Sequence, residues 1–355
     1  MTPTFHRLKI NEMQHETEDA VSICFDIPSE LTEAYRYEAG QYLTIKAFLN
    51  DEELRRSYSI CKAPTEGKVC VVVKKVEDGR FSNWAISNLK AGDELEVMTP
   101  MGHFMHKAEN TAKKSYVLFA AGSGITPVIA IAKNILQNEP NSEVSMIYGN
   151  KGFASIIFRE ELESLKNLHM NRFRLIHVLS RESLGNRLQK GRIDEEKVAD
   201  ICKAFFGNQS IDGVFICGPE SMVHAVKNGM LAFGVDEKNI HFELFGTSAI
   251  PKKERVQTDL EIVHSKVTII LDDDHYVMDL DSNGKSVLEA GYDMGADLPY
   301  ACKGGVCCTC KAKILQGTAV MDVNYALEKE EMEAGYILTC QAHPTSKELI
   351  VSFDE

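Results

Sequence analysis

The stretch Tyr116-Val-Leu-Phe-Ala-Ala121-Gly122-Ser123-Gly124-Ile125-Thr126-Pro127, continued by Val128 to Gln137, decides how the chain is read. The apolar run Tyr116 to Ala121 fits a strand buried on both faces, and the pattern from Ile125 to Gln137 fits a helix. The glycines between them make a tight turn whose N–H groups, with the start of the helix, can meet a pyrophosphate. Tyr116 to Ala132 is also the most apolar window of the sequence. Gly122, Gly124 and Pro127 interrupt it, so it reads as strand, turn and helix rather than a membrane span.

Downstream, the same rhythm repeats. Val144–Gly149, Phe173–Leu179, Gly213–Cys217 and His241–Phe245 read as strands, and an amphipathic helix is expected around Phe158–His169. Five strands alternating with helices imply right-handed crossovers and a parallel sheet covered on both faces. Upstream, short runs such as Tyr42–Phe48 and Val69–Val76 are broken by Gly40, Gly67, Gly79 and Gly92. With only a short helix near Asn83–Leu89, this part reads as a β-barrel.

Beyond the α/β part, the stretch Gly246–Gln257 holds Pro251 and the charged run Lys252–Arg255 without apolar periodicity, and reads as a linker. Two strands, Lys266–Leu271 and His275–Leu280, follow around the turn Asp272–Asp274. A helix then starts near Ser286, with Ser286 or Gly284 at its head. The expected domains are residues 1–110, 111–246 and 264–355, with 247–263 as linker, in keeping with two to three domains for 355 residues.

Hydrophobic residues at 44% and charged residues at 26% place the chain among globular proteins. A net charge of −13 argues against a non-specific nucleic-acid binder. Of this charge, His264–Glu355 carries 16 acidic against 7 basic residues, which marks either a partner surface or a solvated acidic face. Met1–Ile10 carries His6, Arg7 and Lys9 with no apolar run behind them, so a cytoplasmic protein without signal peptide is expected.

Five of the ten cysteines, Cys24, Cys61, Cys70, Cys202 and Cys217, are scattered singly, and no disulfide framework is expected of a cytosolic chain. The others are concentrated in Cys302-Lys-Gly-Gly-Val-Cys307-Cys308-Thr-Cys310 and Cys340. Cys302, Cys307, Cys310 and Cys340 have the plant-type 2Fe–2S spacing. Gly304 and Gly305 let the backbone approach the sulfides and donate N–H bonds to them. Zinc is the competing reading, but zinc knuckles favour two Cys-x2-Cys pairs and only one is present. Cys308 is surplus and is expected to fill a small buried space.

The segment Val287-Leu-Glu-Ala-Gly291 followed by Pro299-Tyr300-Ala301-Cys302 resembles plant-type ferredoxins of the β-grasp fold, although those often have Ser where Ala301 stands. Gly122-x-Gly124-Ile125-Thr126-Pro127 resembles the nucleotide turn of the ferredoxin–NADP reductase superfamily. That resemblance implies a Greek-key flavin barrel, then an α/β nucleotide domain, then the ferredoxin. It places flavin at Arg56-Ser57-Tyr58-Ser59, at Val73 and Lys75, and at the helix start Gly79-Arg-Phe81-Ser82-Asn-Trp84. The helix start offers donors to a second phosphate, hence FAD rather than FMN. Cys217-Gly218-Pro219 would flank the nicotinamide, and Glu243 and Phe245 would close over the flavin. Tyr58, Ser59, Cys217 and Glu243 are the implied catalytic residues. Read without the resemblance, Arg56 and Tyr58 are an ordinary strand pair and Gly218-Pro219 an ordinary turn.

Ser180-Arg181, with Arg187 and Arg192 beyond, offers a hydroxyl and guanidinium groups to a 2′-phosphate, so NADPH is the expected donor and NADH the alternative; Glu182 weighs against it. The domain order resembles the reductase-subunit family of phenylacetyl-CoA epoxidases and reductases of other ring-oxygenating systems, including Rieske-type hydroxylases. It implies hydride transfer to flavin, then single electrons through the cluster to an oxygenase component or another one-electron acceptor protein. A redox sensor or assembly protein is the reading from a different class, though such a protein has no need of a nicotinamide turn. None of the eleven histidines is assigned a catalytic role.

Overall fold

The computed structural model describes residues 4–183, 185–207, 209–245 and 262–355. Two compact units result: Phe5–Leu54 with Tyr58–Phe245, and the C-terminal residues together with Arg55–Ser57. The expected linker 247–263, including Pro251–Arg255, lies outside the described residues except for its last two.

The first unit opens with six strands: β1 (Phe5–Thr17), β2 (Ala20–Asp26), β3 (Tyr42–Leu49), β4 (Glu52–Ser59), β5 (Val69–Lys74) and β6 (Glu94–Met98). Their order is β4-β3-β6-β1-β2-β5. The sheet curls closed where Ile60, just past β4, bridges Val71 on β5, and the Cys61 N–H donates to the Cys70 carbonyl at 2.9 Å. Asn50 and Asp51 join β3 to β4 with φ of 54° and 62°, the left-handed pair of a tight hairpin. Helix α1 (Arg80–Asn88) lies between β5 and β6 in the chain and buries Phe81 and Ala85 in the barrel core.

One expectation fails here. The β2–β5 register sets Cys24 opposite Cys70, with Cα atoms 4.0 Å apart, and the two are joined as a disulfide. They are 46 residues apart in sequence, so only the strand pairing reveals that they are neighbours.

The nucleotide half of this unit alternates as expected: β7 (Ser115–Ala121), α2 (Ile125–Asn138), β8 (Glu143–Asn150), α3 (Arg159–Leu168), β9 (Phe173–Leu179), α4 (Glu195–Phe205), β10 (Gly213–Gly218), α5 (Glu220–Phe233) and β11 (Ile240–Leu244). The order β11-β10-β7-β8-β9 is parallel throughout. The chain moves outward from β7 to β9 and then returns to the other side of β7. A crevice therefore opens between β7 and β10 at the carboxyl ends of the strands.

Helix α2 is buried at every position from Ile125 to Leu136, which its nearly all-apolar sequence permits. It packs on the sheet and also on Ala39, Cys61, Cys70 and Val72 of the barrel, in one continuous core. Lys133 is its only charge. Its side chain is 4% exposed, and the ammonium lies 2.9 Å from Glu66 and also contacts Glu161, which takes Lys62 at 3.0 Å. This ion cluster ties the barrel residues Lys62 and Glu66 to helices α2 and α3.

The second unit holds β12 (His264–Leu271), β13 (Asp274–Asp281), α6 (Val287–Asp293), β14 (Lys311–Gln316), β15 (Ala319–Met321), α7 (Lys329–Glu333), β16 (Tyr336–Leu338), β17 (Ala342–Pro344) and β18 (Glu348–Ser352). Its main sheet runs β13-β12-β18-β14-β16, with β12 and β18 parallel, and β15 pairs with β17. Ser286 caps α6: its Oγ accepts the Glu289 N–H at 3.3 Å, and Glu289 accepts the Ser286 N–H at 3.2 Å. No helix among the described residues is long and apolar enough to cross a membrane.

Replacing Lys133 with Met removes the buried ammonium from Glu66 and leaves Glu161 with Lys62 alone. We expect a loss of about 3 kcal/mol in the stability of this unit, read from the urea midpoint, because a buried charge pair is broken from one side. An unchanged midpoint would mean that the ion cluster does not hold barrel and sheet together.

Candidate functional site

The site begins with two glycines that are needed for different reasons. Gly122 sits at φ +56°, and a Cβ there would meet nothing within 4 Å, so the turn faces open space. Gly124 has ordinary backbone angles, but a Cβ would fall 2.2 Å from the Cys217 carbonyl oxygen and 2.8 Å from Gly218 N. The absence of a side chain lets the turn lie directly on the end of β10. Two further bonds fix it: Tyr148 donates its hydroxyl to the Gly122 carbonyl at 2.9 Å, and Thr126 donates to the Ser123 carbonyl at 3.0 Å. Pro127 lies in the first turn of α2, where a missing N–H costs nothing. An open, left-handed turn feeding a helix start fits a pyrophosphate.

Cys217 and Glu243 are register partners on the parallel pair β10 and β11. Ser59, at the end of β4, donates its hydroxyl to Glu243 Oε2 at 3.0 Å, and the hydroxyl is buried. Enclosure by packed chain raises the Glu243 carboxyl to about 8, against which the Ser59 bond works only partly. The Cys217 thiol, fully buried, is pushed well above its usual range by burial first and by the Glu243 charge second. Three of the four expected catalytic residues thus meet at the crevice. The fourth, Tyr58, is half-buried with its ring 5.7 Å from that of Phe81.

The other expected flavin contacts divide. Arg56 is exposed, its guanidinium resting on the Arg55 carbonyl at 2.8 Å, and Ser57 is half-buried. Lys75 is exposed at the end of β5, and Phe245 is 44% exposed beyond β11. Val73 and Phe81 are core side chains, so only their backbone can face a ligand. The Ser82 hydroxyl accepts the Val76 N–H at 3.1 Å and shapes the turn before α1; a Cβ on Gly79 would strike it at 2.6 Å. Gly218 packs on Ala121 and Met222, and Pro219 stands at the head of α5.

At the ends of β8 and β9, Ser180, Arg181 and Arg192 are exposed. Arg187, expected to assist them, is instead paired with Glu196 and Asp200, at 3.3 Å each. Sequence reasoning passed over Lys151. It is exposed beside Arg181, whose N–H donates to the Lys151 carbonyl at 2.8 Å.

In the second unit the four expected cysteines come as two pairs. Cys307 Sγ lies 3.1 Å from Cys302 Sγ, and Cys310 shares a hydrogen bond with Cys340. Among the described residues no three His, Cys, Asp or Glu side chains converge on a single ion. Two thiol pairs suit a binuclear cluster, with two thiolates for each iron, better than one zinc. Cys302 is drawn down to about 6 by the Cys307 thiol and by N–H groups of Gly304, Val306 and Cys307; the Gly304 N lies 3.3 Å from its sulfur. Gly305, at φ +72°, leaves no room for a side chain against Val323. Thr339 ties the two cysteine segments together by donating its N–H (3.1 Å) and Oγ1 (2.9 Å) to the Cys310 carbonyl. Cys308 is buried, 4% exposed.

Known proteins agree with this geometry. Residues 7–106 match the oxidoreductase FAD-binding domain, 118–228 the oxidoreductase NAD-binding domain, and 269–345 the 2Fe-2S iron-sulfur cluster binding domain. The chain is 43% identical to a subunit of the 1,2-phenylacetyl-CoA epoxidase of Escherichia coli (strain K12), over 99% of this chain and 98% of that protein. It is 32% identical to the ferredoxin reductase component of 3-ketosteroid-9-alpha-monooxygenase of Rhodococcus rhodochrous, over 98% and 96%. The fold matches phthalate dioxygenase reductase with a TM-score of 0.60 at 22% identity, covering 98% of each chain. The chain belongs to the family of oxygenase reductase components that carry FAD-binding, NAD-binding and 2Fe–2S ferredoxin domains in one polypeptide.

Proposed function

We propose that this reductase takes electrons from NADPH and delivers them to the oxygenase component of a phenylacetyl-CoA epoxidase. The observation that carries this is the meeting of the glycine turn, Cys217, Glu243 and Ser59 in one crevice, in a chain whose other unit holds two cysteine pairs. The 43% identity to a subunit of such an epoxidase supports the acceptor. We take the domains as 1–110, 111–246 and 264–355, and the protein as cytoplasmic.

When bound, flavin exchanges two electrons with a nicotinamide and single electrons with a 2Fe–2S cluster. The chain's residues bind, orient and exclude water. Gly122, Gly124, Ile125, Thr126 and Pro127 receive the dinucleotide pyrophosphate on backbone N–H groups. Cys217, Gly218 and Pro219 form the wall against which the nicotinamide lies. Arg56 would neutralise a flavin phosphate, N–H groups of the turn Gly79 to Ser82 would hold the pyrophosphate, Tyr58 would pack on the ring system with Ser59 near its N5, and Ser57 would border the cofactor. Val73 and Lys75 border the flavin, and Phe245 covers it. Ser180 and Arg181 take the 2′-phosphate. Cys302, Cys307, Cys310 and Cys340 would hold the 2Fe–2S cluster.

Glu243 keeps its proton at neutral pH. Its carboxyl is therefore uncharged beside the reacting face below about pH 8 and charged above it. We expect flavin reduction by NADPH, followed by stopped flow, to be steady up to pH 7 and to fall as pH rises through about 8. Glu243→Gln should flatten the profile. A wild-type rate that is constant through pH 9 would remove Glu243 from this role.

NADPH should exceed NADH in kcat/KM, and Arg181→Ala should cut that ratio about tenfold, the value of a charge-assisted phosphate bond. Comparable constants for both donors, unchanged in the variant, would refute the assignment.

The wiring is tested by Cys310→Ser. Ferricyanide, which accepts electrons directly from flavin, should still be reduced at close to the wild-type rate. Cytochrome c should lose most of its rate, and with the wild type that rate should fall as salt screens the acidic C-terminal residues. Equal cytochrome c rates with the cluster shown to be absent would mean that electrons leave elsewhere.

A further inference from the structure

Glu182 stands one residue beyond Arg181, where a carboxylate would repel a 2′-phosphate or bind the bare ribose hydroxyls of NADH. In the structure its carboxylate is held by the turn at Gly152 and Phe153. Its Oε2 accepts the Phe153 N–H at 3.0 Å, and its Oε1 fills the space where a side chain on Gly152 would begin, 2.2 Å from the ideal Cβ position. Gly152 has φ −159°, extended backbone open to any residue, so this glycine is required by the carboxylate packed against it and not by its conformation. The turn is tied further by Ser155, whose Oγ accepts the Gly152 N–H at 3.2 Å and donates to the Gly152 carbonyl at 2.7 Å.

The same turn follows Lys151. The backbone ladder continues past the ends of β8 and β9: Ser180 N–H donates to the Asn150 carbonyl at 2.9 Å, and Arg181 N–H to the Lys151 carbonyl at 2.8 Å. Lys151 and Arg181 are therefore neighbours across two strand ends. Both are exposed, and neither forms an ion pair among the described residues. Phe153, 48% exposed, stands beside them with the Arg159 guanidinium 4.7 Å from its ring centre.

We infer that Gly152 and Glu182 form a specificity latch: the glycine admits the carboxylate to the turn, and its capture leaves Lys151 and Arg181 as an unopposed cationic pair for a 2′-phosphate. Glu182 is a positioning residue and Lys151 a specificity residue. The inference rests on the NADPH reading. A methyl group on Gly152 would push out the far end of a flexible side chain, not the backbone, so the substitution redirects charge without breaking the fold.

Calorimetric binding of 2′,5′-ADP and 5′-AMP to the holoprotein separates the possibilities. Gly152→Ala should weaken 2′,5′-ADP about tenfold, through a like charge released against the phosphate, and leave 5′-AMP within twofold. The double variant Gly152→Ala with Glu182→Gln should recover 2′,5′-ADP binding, because the displaced group is then neutral. Lys151→Ala should also weaken 2′,5′-ADP selectively. A wild type that favours 2′,5′-ADP, combined with a Gly152→Ala variant that keeps the preference or loses both ligands equally, would overturn the latch. Equal wild-type affinities would instead overturn the NADPH reading beneath it.

Discussion

The contact between Gly124 and the end of β10 is the constraint on which the site depends. With the Cys217 carbonyl 2.2 Å from where a Cβ would be, no other residue fits unless the turn or the strand moves. That closeness places the N–H groups of the glycine turn, the Cys217–Gly218 strand end and Glu243 around one crevice. The parallel order β11-β10-β7 makes it possible, since β7 and β10 are adjacent although nearly a hundred residues separate them. The buried helix α2 then fixes the turn from behind, and Lys133 fixes α2 to the barrel.

A second constraint is electrostatic. A carboxyl and a thiol share a poorly hydrated wall, and both are driven toward their neutral forms by burial. Ser59 donates to Glu243 without lowering it into the ordinary carboxylate range. A neutral wall suits a place where a hydride changes hands, because a fixed negative charge there would oppose the arrival of more electron density. In the other unit the cysteines divide: Cys307 and Cys310 are pushed well above the usual thiol range by the thiols they share hydrogen bonds with and by burial, while Cys302 and Cys340 are lowered. The Cys307 thiol first, and then the N–H groups of Gly304, Val306 and Cys307, favour the Cys302 thiolate, the form a metal needs.

Much of this was legible in the sequence because it is local. The strand–glycine–helix pattern located β7 and α2 within a residue or two, and the Cys spacing marked the four thiols that the fold then brings together in two pairs. Of the two helix starts the sequence left open, Ser286 and Gly284, the structure takes Ser286, whose cap Glu289 completes. What escaped depends on contacts between distant segments. Cys24 and Cys70 become partners only through the β2–β5 register. Val73 and Phe81 matched a cofactor motif, yet their side chains belong to the barrel core. Arg187 looked available for phosphate until α4 presented Glu196 and Asp200 to it. Glu182 reads in the sequence as a free carboxylate beside Arg181, and only the fold shows it held against Gly152 and the Phe153 N–H.

The central claim is that one polypeptide stores a donor's electron pair and releases it singly through an iron–sulfur cluster. An anaerobic titration with NADPH, followed by absorbance and by electron paramagnetic resonance, addresses it most directly. The account predicts three electron equivalents taken up per chain, two by flavin and one by the cluster, with the signal of one reduced 2Fe–2S centre per chain. Uptake of two equivalents, with no paramagnetic iron–sulfur signal from a chain shown to contain iron, would contradict it.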